Sequence, residues 1–411
     1  MSDKRKTARS QSQKFRLGLL PLIIVAILAG IGAGMFFPDW LTRIFVTFNS
    51  IFSSFLGFII PLLIVGFVAP AIGEIGRGAG KMLAFTAVLA YVATLLAGLF
   101  SYVTGATVFP SLIEVDRYMA VEESARGLSP YFTMDIEPLM SVMTALILAF
   151  TLGLGVARLK TNSLRNGLDD FRDIISMVIK GVIIPLLPIY IFGIFLNMTV
   201  SGEVAPVLKT FASVIIVIFI MHVVLLVGQF VIASFFSGAN PLKALWTMMP
   251  AYFTALGTQS SAATIPVTLK QTIATGVDKD VAGFVVPLCA TIHMSGSTLK
   301  IVACALALMI SHGYGYDFKM FAGFIAMLGV TIVAAPGVPG GAIMASLGLL
   351  SGILGFSEAD NALMIALYIA MDSFGTACNV TGDGALAQIV NRFFGRSGSL
   401  KHRAAESLKQ S

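Results

Sequence analysis

The sequence predicts an all-α polytopic membrane protein with eight transmembrane helices and two re-entrant helical hairpins. Three observations lead there. Of 411 residues, 57% are hydrophobic and only 12% charged, with mean hydropathy +0.90, more apolar surface than a soluble chain of this length can hide. Six unbroken apolar stretches each reach the ~20 residues that a helix needs to cross hydrocarbon. Four further apolar stretches follow, and three of them are cut by polar, Gly-rich or Pro-rich breaks.

The six stretches run about 17–37, 41–72, 81–107, 138–160, 173–198 and 205–236. The first is long enough to span and lacks a small-residue cleavage site, so it reads as a helix and not as a cleavable signal. Residues 1–16 carry Lys4, Arg5, Lys6, Arg9, Lys14 and Arg16 against Asp3. The other end carries Arg392, Arg396, Lys401, Arg403 and Lys409 against Glu406. Basic ends flanking apolar spans are explained by a cytoplasmic location better than by nucleic acid. The loop after the third stretch is acidic (Glu114, Asp116, Glu122, Glu123, Asp135 and Glu137 against Arg117 and Arg126). The loop after the fourth holds Arg158, Lys160, Arg165 and Arg172. From a cytoplasmic N-terminus, three crossings put the acidic loop outside and four put the basic one inside, as the Lys/Arg bias requires. Six crossings return the chain inside near residue 238, and a cytoplasmic C-terminus requires an even number more.

In the second half, segment 239–273 is cut at Gly257–Pro266, 281–312 at His293–Ser297, and 318–355 at Ala335–Gly341. Non-helical backbone at membrane depth survives only where protein or a water-filled cavity satisfies its polar groups. Each of 239–273 and 318–355 precedes a span (281–312 and 358–394), the pattern of a repeated re-entrant hairpin plus broken helix around a midplane binding site. The repeat rests on hydropathy, since the halves share no useful residue identity.

The last span carries the most polar stretch. On a helix Asp372, Thr376, Asn379 and Asp383 fall at i, i+4, i+7 and i+11, one stripe. A carboxylate in hydrocarbon costs ~2.5–3.5 kcal/mol even on insertion scales, so the stripe faces protein or water. It reads either as a functional pathway or as a seam that glues helices. An aspartyl-protease reading fails on distance, because eleven helical residues separate the carboxylates by ~16 Å, too far to share a proton. No Gly-rich phosphate loop, His-Glu-x-x-His or Gly-x-Ser-x-Gly occurs, so neither an enzyme nor an ATP-driven pump is expected. Cys289, Cys304 and Cys378 lie in apolar segments without metal spacing.

Around the breaks, Ser260 and Ser261 sit beside Thr258 and Thr264, where free backbone N–H groups favour an anion, unless the small residues only ease packing. His293, Ser297 and Lys300 fall at i, i+4 and i+7, one face if the helix continues. His293 reads as a proton carrier, a substrate contact or a hydrogen-bonded core histidine. Lys300 must pair or snorkel, and Asp372 is the partner that the neighbouring helix offers.

Together these stretches resemble the dicarboxylate/amino acid:cation symporter family of glutamate transporters and bacterial serine/threonine transporters. The resemblance covers nearly the whole chain in segment order and is sharpest from Gly257 to Val390. The family's serine-rich hairpin tip ending in Pro is similar to Thr258–Pro266. Its Gly-Val-Pro-Gly is Gly337–Gly340. Its Asp-x-x-Arg-Thr-x-x-Asn-Val-Thr-Gly-Asp matches Asp372 to Asp383 except at the arginine. The resemblance implies a glutamate-transporter-like fold with inverted repeats. It implies that Asp372 binds the substrate's amino group, and that Asn379 holds its α-carboxylate with Ser260, Ser261 and the Val338, Pro339 and Gly340 tip, beside Thr376. It also implies that Asp383, with Asn379 and carbonyls near Cys289 and His293, binds Na⁺. A second, carbonyl-rich Na⁺ site is implied near Thr291, Met294 and the arm before Pro336.

The departures set the finer expectations. The arginine that grips an acidic side chain is Gly375 here, which removes a bidentate carboxylate fork and favours a neutral substrate. The Ser-Ser-Ala-Ala tip also resembles the serine/threonine branch. Lys300 can instead restore the charge, which keeps an acidic amino acid or dicarboxylate as the alternative substrate. The family's seventh-helix Asn-Met-Asp-Gly-Thr has His293 for its asparagine and Ser295 for its aspartate, and Leu89 and Ala90 stand where hydroxyls are expected. Hard cations need several oxygens, so the third sodium site is expected to be absent. His293 can couple a proton in its place.

The resulting expectation is a secondary active symporter for a small neutral amino acid of the serine, threonine or alanine type, coupled to Na⁺ or H⁺, with an ion channel as a further alternative. It has no cofactor and no nucleic-acid partner, sits in the inner cell membrane with both termini cytoplasmic, and by family precedent is a homotrimer. The expected units are a basic tail (1–16), six helices (17–237) of which the third and sixth pack on the core, a transport core (238–394) and a second basic tail (395–411).

Overall fold

The structure is a computed structural model that describes residues 19–75, 81–113, 128–134, 136–202, 204–333 and 340–395. Both basic tails, most of the acidic loop, and Val338 and Pro339 lie outside the described residues. Fifteen α-helices and no strand occur among the described residues. In order they are α1 (Leu19–Gly34), α2 (Asp39–Ile75), α3 (Lys81–Leu112), α4 (Val142–Arg158), α5 (Ser163–Val178), α6 (Ile184–Ser201), α7 (Val204–Ser237) and α8 (Pro241–Thr258). There follow α9 (Ser261–Ala274), α10 (Lys279–Ile292), α11 (Ser295–Ser311), α12 (Phe318–Val333), α13 (Gly341–Leu354), α14 (Glu358–Ala370) and α15 (Asp372–Phe394).

Five helical runs are long and apolar enough to cross a membrane: Asp39–Pro70, Lys81–Leu112, Ser163–Ser201, Phe211–Ser237 and Lys279–Ser311. A sixth arises if α14 and α15, which meet at 61°, form one bent span. The packing is that of a protein solvated by lipid. On α3 the bulky Val88, Val92, Leu96 and Val103 face outward, while Thr86, Ala90, Thr94, Ala97 and Ser101 face inward. Small and hydroxyl residues bring helices close where apolar bulk gains nothing by turning away from lipid tails.

Several elements differ in detail from the hydropathy reading. Residues 163–172, read as a basic loop, form the first turns of α5, where Asp169 pairs with Arg165 (4.0 Å) and Arg172 (3.2 Å). A π-turn at Ile179–Ile183 carries that helix into α6, next to Pro185 and Pro188, which lack the N–H groups that a regular ladder needs. The first hairpin break is shorter than Gly257–Pro266. Only Gln259 and Ser260 separate α8 from α9, which pack on each other, and Pro266 lies inside α9. Gln259 is the only non-glycine residue with positive φ (52°) among the described residues. The Ser260 hydroxyl then caps α9 by accepting from the Ala263 N–H (3.3 Å). In the second hairpin α12 packs on α13, which starts after Gly340 at φ 77°.

Helix α15 is the axis of this half of the molecule. It is surrounded by α3, α7, α8, α9, α10 and α11, and every residue from Gly375 to Val390 is buried. That burial is how a helix with two aspartates and an asparagine sits inside an apolar chain: Asp372, Asn379 and Asp383 are all buried against protein.

Candidate functional site

Two backbone breaks adjoin the site. Between α10 and α11, His293 is extended (φ −99°, ψ 106°) and Met294 also leaves helical geometry. His293 is therefore not on the helix that carries Ser297 and Lys300, and the single face expected for the three residues does not form. Between α14 and α15 the chain bends at Met371, so Asp372 becomes the first residue of α15. The stripe of Asp372, Thr376, Asn379 and Asp383 then runs down one helix.

Asn379 serves the first break. Its Oδ1 accepts from the Gly296 N–H (2.8 Å) and the Ser297 N–H (3.3 Å), and its Nδ2 donates to Ser297 Oγ (3.1 Å). These are N–H groups of the first turn of α11, which has no local side-chain cap. An asparagine from another helix supplies it. Thr94 Oγ1 accepts from the Met294 N–H (3.4 Å), and His222 Nε2 lies 3.1 Å from the Gly296 carbonyl.

Asp372 anchors the second break. Its Oδ1 accepts from Lys300 Nζ at 3.0 Å and its Oδ2 from the Gly340 N–H at 2.9 Å, which ties α11, α15 and the start of α13 to one carboxylate. Lys300 is fully buried; its Nζ also lies 3.4 Å from the Tyr368 and Met371 carbonyls and 3.4 Å from the centre of the Tyr368 ring. Gly375 makes room for it: a Cβ there would lie 2.9 Å from Lys300 Nζ.

Farther down α15, Asp383 Oδ1 contacts His293 Nδ1 at 2.9 Å, with both side chains buried. Gln229 stands behind, its Nε2 3.5 Å from His293 Nε2 and 3.1 Å from Ser295 Oγ. With Asp383 ionised, the carboxylate only accepts and His293 Nδ1 is the donor of this bond.

Between the hairpin tip and α15 lies a cavity of about 80 Å³. Of the residues singled out from sequence, Ser260, Ser261, Thr291, Met294, Asp372, Thr376 and Asn379 line it. Gln259, Ala342 and Tyr368 line it too and had not been singled out; Gln259 Nε2 donates to Ser373 Oγ (2.8 Å), joining the first hairpin tip to α15. Gly340, Gly375, Lys300, His293, Cys289 and Asp383 are not among the residues that line the cavity. The Cys289 carbonyl accepts the His293 N–H (2.9 Å) as the last bond of α10. Among the described residues, no three His, Cys, Asp or Glu side chains group as they would for a transition metal. His222 and Gln229 were missed, although two polar residues seven apart in the otherwise apolar stretch 214–233 of α7 share one face.

Apolar helices of membrane length around a buried polar helix, beside a small cavity, define a multi-pass membrane protein, and its family is one of transporters and not of enzymes. Residues 19–393 match the sodium:dicarboxylate symporter family, and the chain belongs to it. It is similar to the serine/threonine transporter SstT of Acinetobacter baumannii (strain AYE), at 26% identity over 385 residues, 90% of this chain and 95% of that protein. The serine/threonine transporter SstT of Acinetobacter baylyi (strain ATCC 33305 / BD413 / ADP1) is similar to the same degree and over the same shares.

Proposed function

We propose that this protein is a Na⁺-coupled symporter for a small neutral amino acid of the serine, threonine or alanine type, working by alternating access. One observation carries the choice of a neutral substrate: the cavity wall includes the Asp372 carboxylate but no lysine or arginine. Lys300 is bonded to Asp372 and is not among the residues that line the cavity. The acidic-substrate alternative needs that ammonium to be free. Family membership and the names of the relatives support the same reading.

In this reading Asp372 receives the substrate's amino group, and the Ser260–Ser261 turn, Asn379 and the tip at Val338, Pro339 and Gly340 receive its carboxylate. Na⁺ is carried as a co-substrate by Asp383 and Asn379 with carbonyls at the C-terminus of α10, the negative end of that helix. The His293–Asp383 contact favours a second coupling reading, in which a proton on His293 takes the place of Na⁺ at Asp383. Gln229 suits either state of His293, because its amide can offer Nε2 to a neutral ring or its carbonyl to an imidazolium. The eight-span, two-hairpin topology, the transport core at 238–394, cytoplasmic termini, an inner-membrane location and a homotrimer belong to the same proposal.

The test is uptake of labelled serine into proteoliposomes with and without an inward Na⁺ gradient, with unlabelled aspartate as competitor. Gradient-driven accumulation that aspartate does not inhibit is the expected result. Uptake of aspartate in preference to serine would overturn the choice of substrate, and uptake driven by a pH gradient alone would move the coupling to His293.

A further inference from the structure

We propose that Lys300 is a tethered counter-cation for Asp372, which lets the substrate-free carrier change faces without an unpaired carboxylate in its interior. The inference rests on the reading above, in which Asp372 takes the substrate's amino group. Four observations carry it. The ammonium lies 3.0 Å from Asp372 Oδ1, with the lysine fully buried and the aspartate 5% exposed. Asp372 is among the residues that line the cavity and Lys300 is not, so a substrate amine in the cavity and Lys300 can share one carboxylate. Lys300 has other partners to keep when Asp372 is shared, the carbonyls of Tyr368 and Met371 and the Tyr368 ring face. Finally, Gly375 leaves the space beside α15 that the lysine side chain fills.

The electrostatic consequence is asymmetric. With Lys300 present, Asp372 is neutralised whether or not substrate is bound. Without it, the loaded carrier still has the substrate's ammonium, but the empty one holds a bare buried carboxylate, the costliest state for a membrane interior. The same carboxylate accepts the Gly340 N–H, so its charge state also bears on the start of α13. Lys300 is accordingly required for the return of the empty carrier more than for the passage of the loaded one.

The experiment compares net uptake of labelled serine with serine–serine exchange in proteoliposomes, for wild type and Lys300→Met. Exchange never uses the empty carrier; net uptake needs it every cycle. The expected result is that the ratio of net uptake to exchange falls by at least about tenfold in Lys300→Met, with exchange retained. An unchanged ratio, or equal loss of both rates in folded protein, overturns the proposal and leaves Lys300 a packing residue. If Lys300→Met does not fold, Lys300→Gln, which can hydrogen-bond Asp372 without charge, carries the same expectation. Absence of serine exchange in wild type would instead refute the serine reading itself.

Discussion

Gly375 and Lys300 fit each other: a Cβ at position 375 would lie 2.8 Å from the lysine Cε and 2.9 Å from its ammonium. The glycine on α15 and the lysine on α11 are therefore one feature. Gly375→Ala pushes the ammonium off Asp372 and is expected to cost about 3 kcal/mol, the scale of a broken buried pair. In a Lys300→Met background the same change is expected to cost at least about 1 kcal/mol less, since the clash is then with a flexible apolar chain. Thermal unfolding of the two singles and the double in detergent measures this coupling, and strict additivity would refute it.

Asn379 holds the start of α11 through two accepted and two donated hydrogen bonds, the second donated one to Met294 Sδ. Asn379→Ala leaves buried N–H groups of that turn without partners, and a loss of about 2–3 kcal/mol is expected. Asn379→Asp keeps the acceptor for both N–H groups and is expected to recover more than half of that loss. If the two variants unfold together, the capping role is wrong.

Gly340 has φ 77°, and among the described residues a Cβ there would meet Ile369 alone, at ordinary contact distance. Gly340→Ala is thus a backbone test without a clash. The left-handed conformation alone is expected to cost about 1–2 kcal/mol. The strain falls on the residue whose N–H meets Asp372, so serine affinity is expected to fall with stability. Titration calorimetry on the purified variant checks this, and unchanged affinity would separate the turn from the site.

Asp383 is buried with His293 as its hydrogen-bond partner, and in the proposed function it holds the coupling cation. Asp383→Asn keeps shape and an acceptor but removes the charge. Uptake is expected to fall by about a hundredfold or more, the effect of ~3 kcal/mol in a binding constant, and to lose its dependence on the Na⁺ gradient. A variant that still accumulates serine in proportion to that gradient would remove Asp383 from the cation site.

The polar stripe of α15 was legible because carboxylates in an apolar chain have few physical explanations, and helical spacing puts four polar residues in line. The break near His293 was legible for a similar reason, since Ser, Gly and His together interrupt an apolar run. The 61° bend at Met371 was not, because no proline or glycine marks it; it is held in place by Lys300 and Gly340 meeting Asp372. His293 shares a face with Ser297 and Lys300 only if the helix continues, and the extended backbone at His293 shows that it does not. In the structure it turns away toward Asp383, while Lys300 meets Asp372. The amphipathic start of α5 was read as loop because its charges mask a helix whose apolar face is narrow. The cross-helix cap from Asn379 could not be read at all, since it depends on α11 and α15 packing in one register.

The most direct test of cation-coupled amino-acid transport is the affinity of the purified protein for serine, measured by calorimetry with and without saturating Na⁺. Linkage requires the effect to be mutual, so the account expects Na⁺ to raise serine affinity by about 5–150-fold and serine to raise Na⁺ affinity by the same factor. Serine binding of equal strength with and without Na⁺ would contradict it.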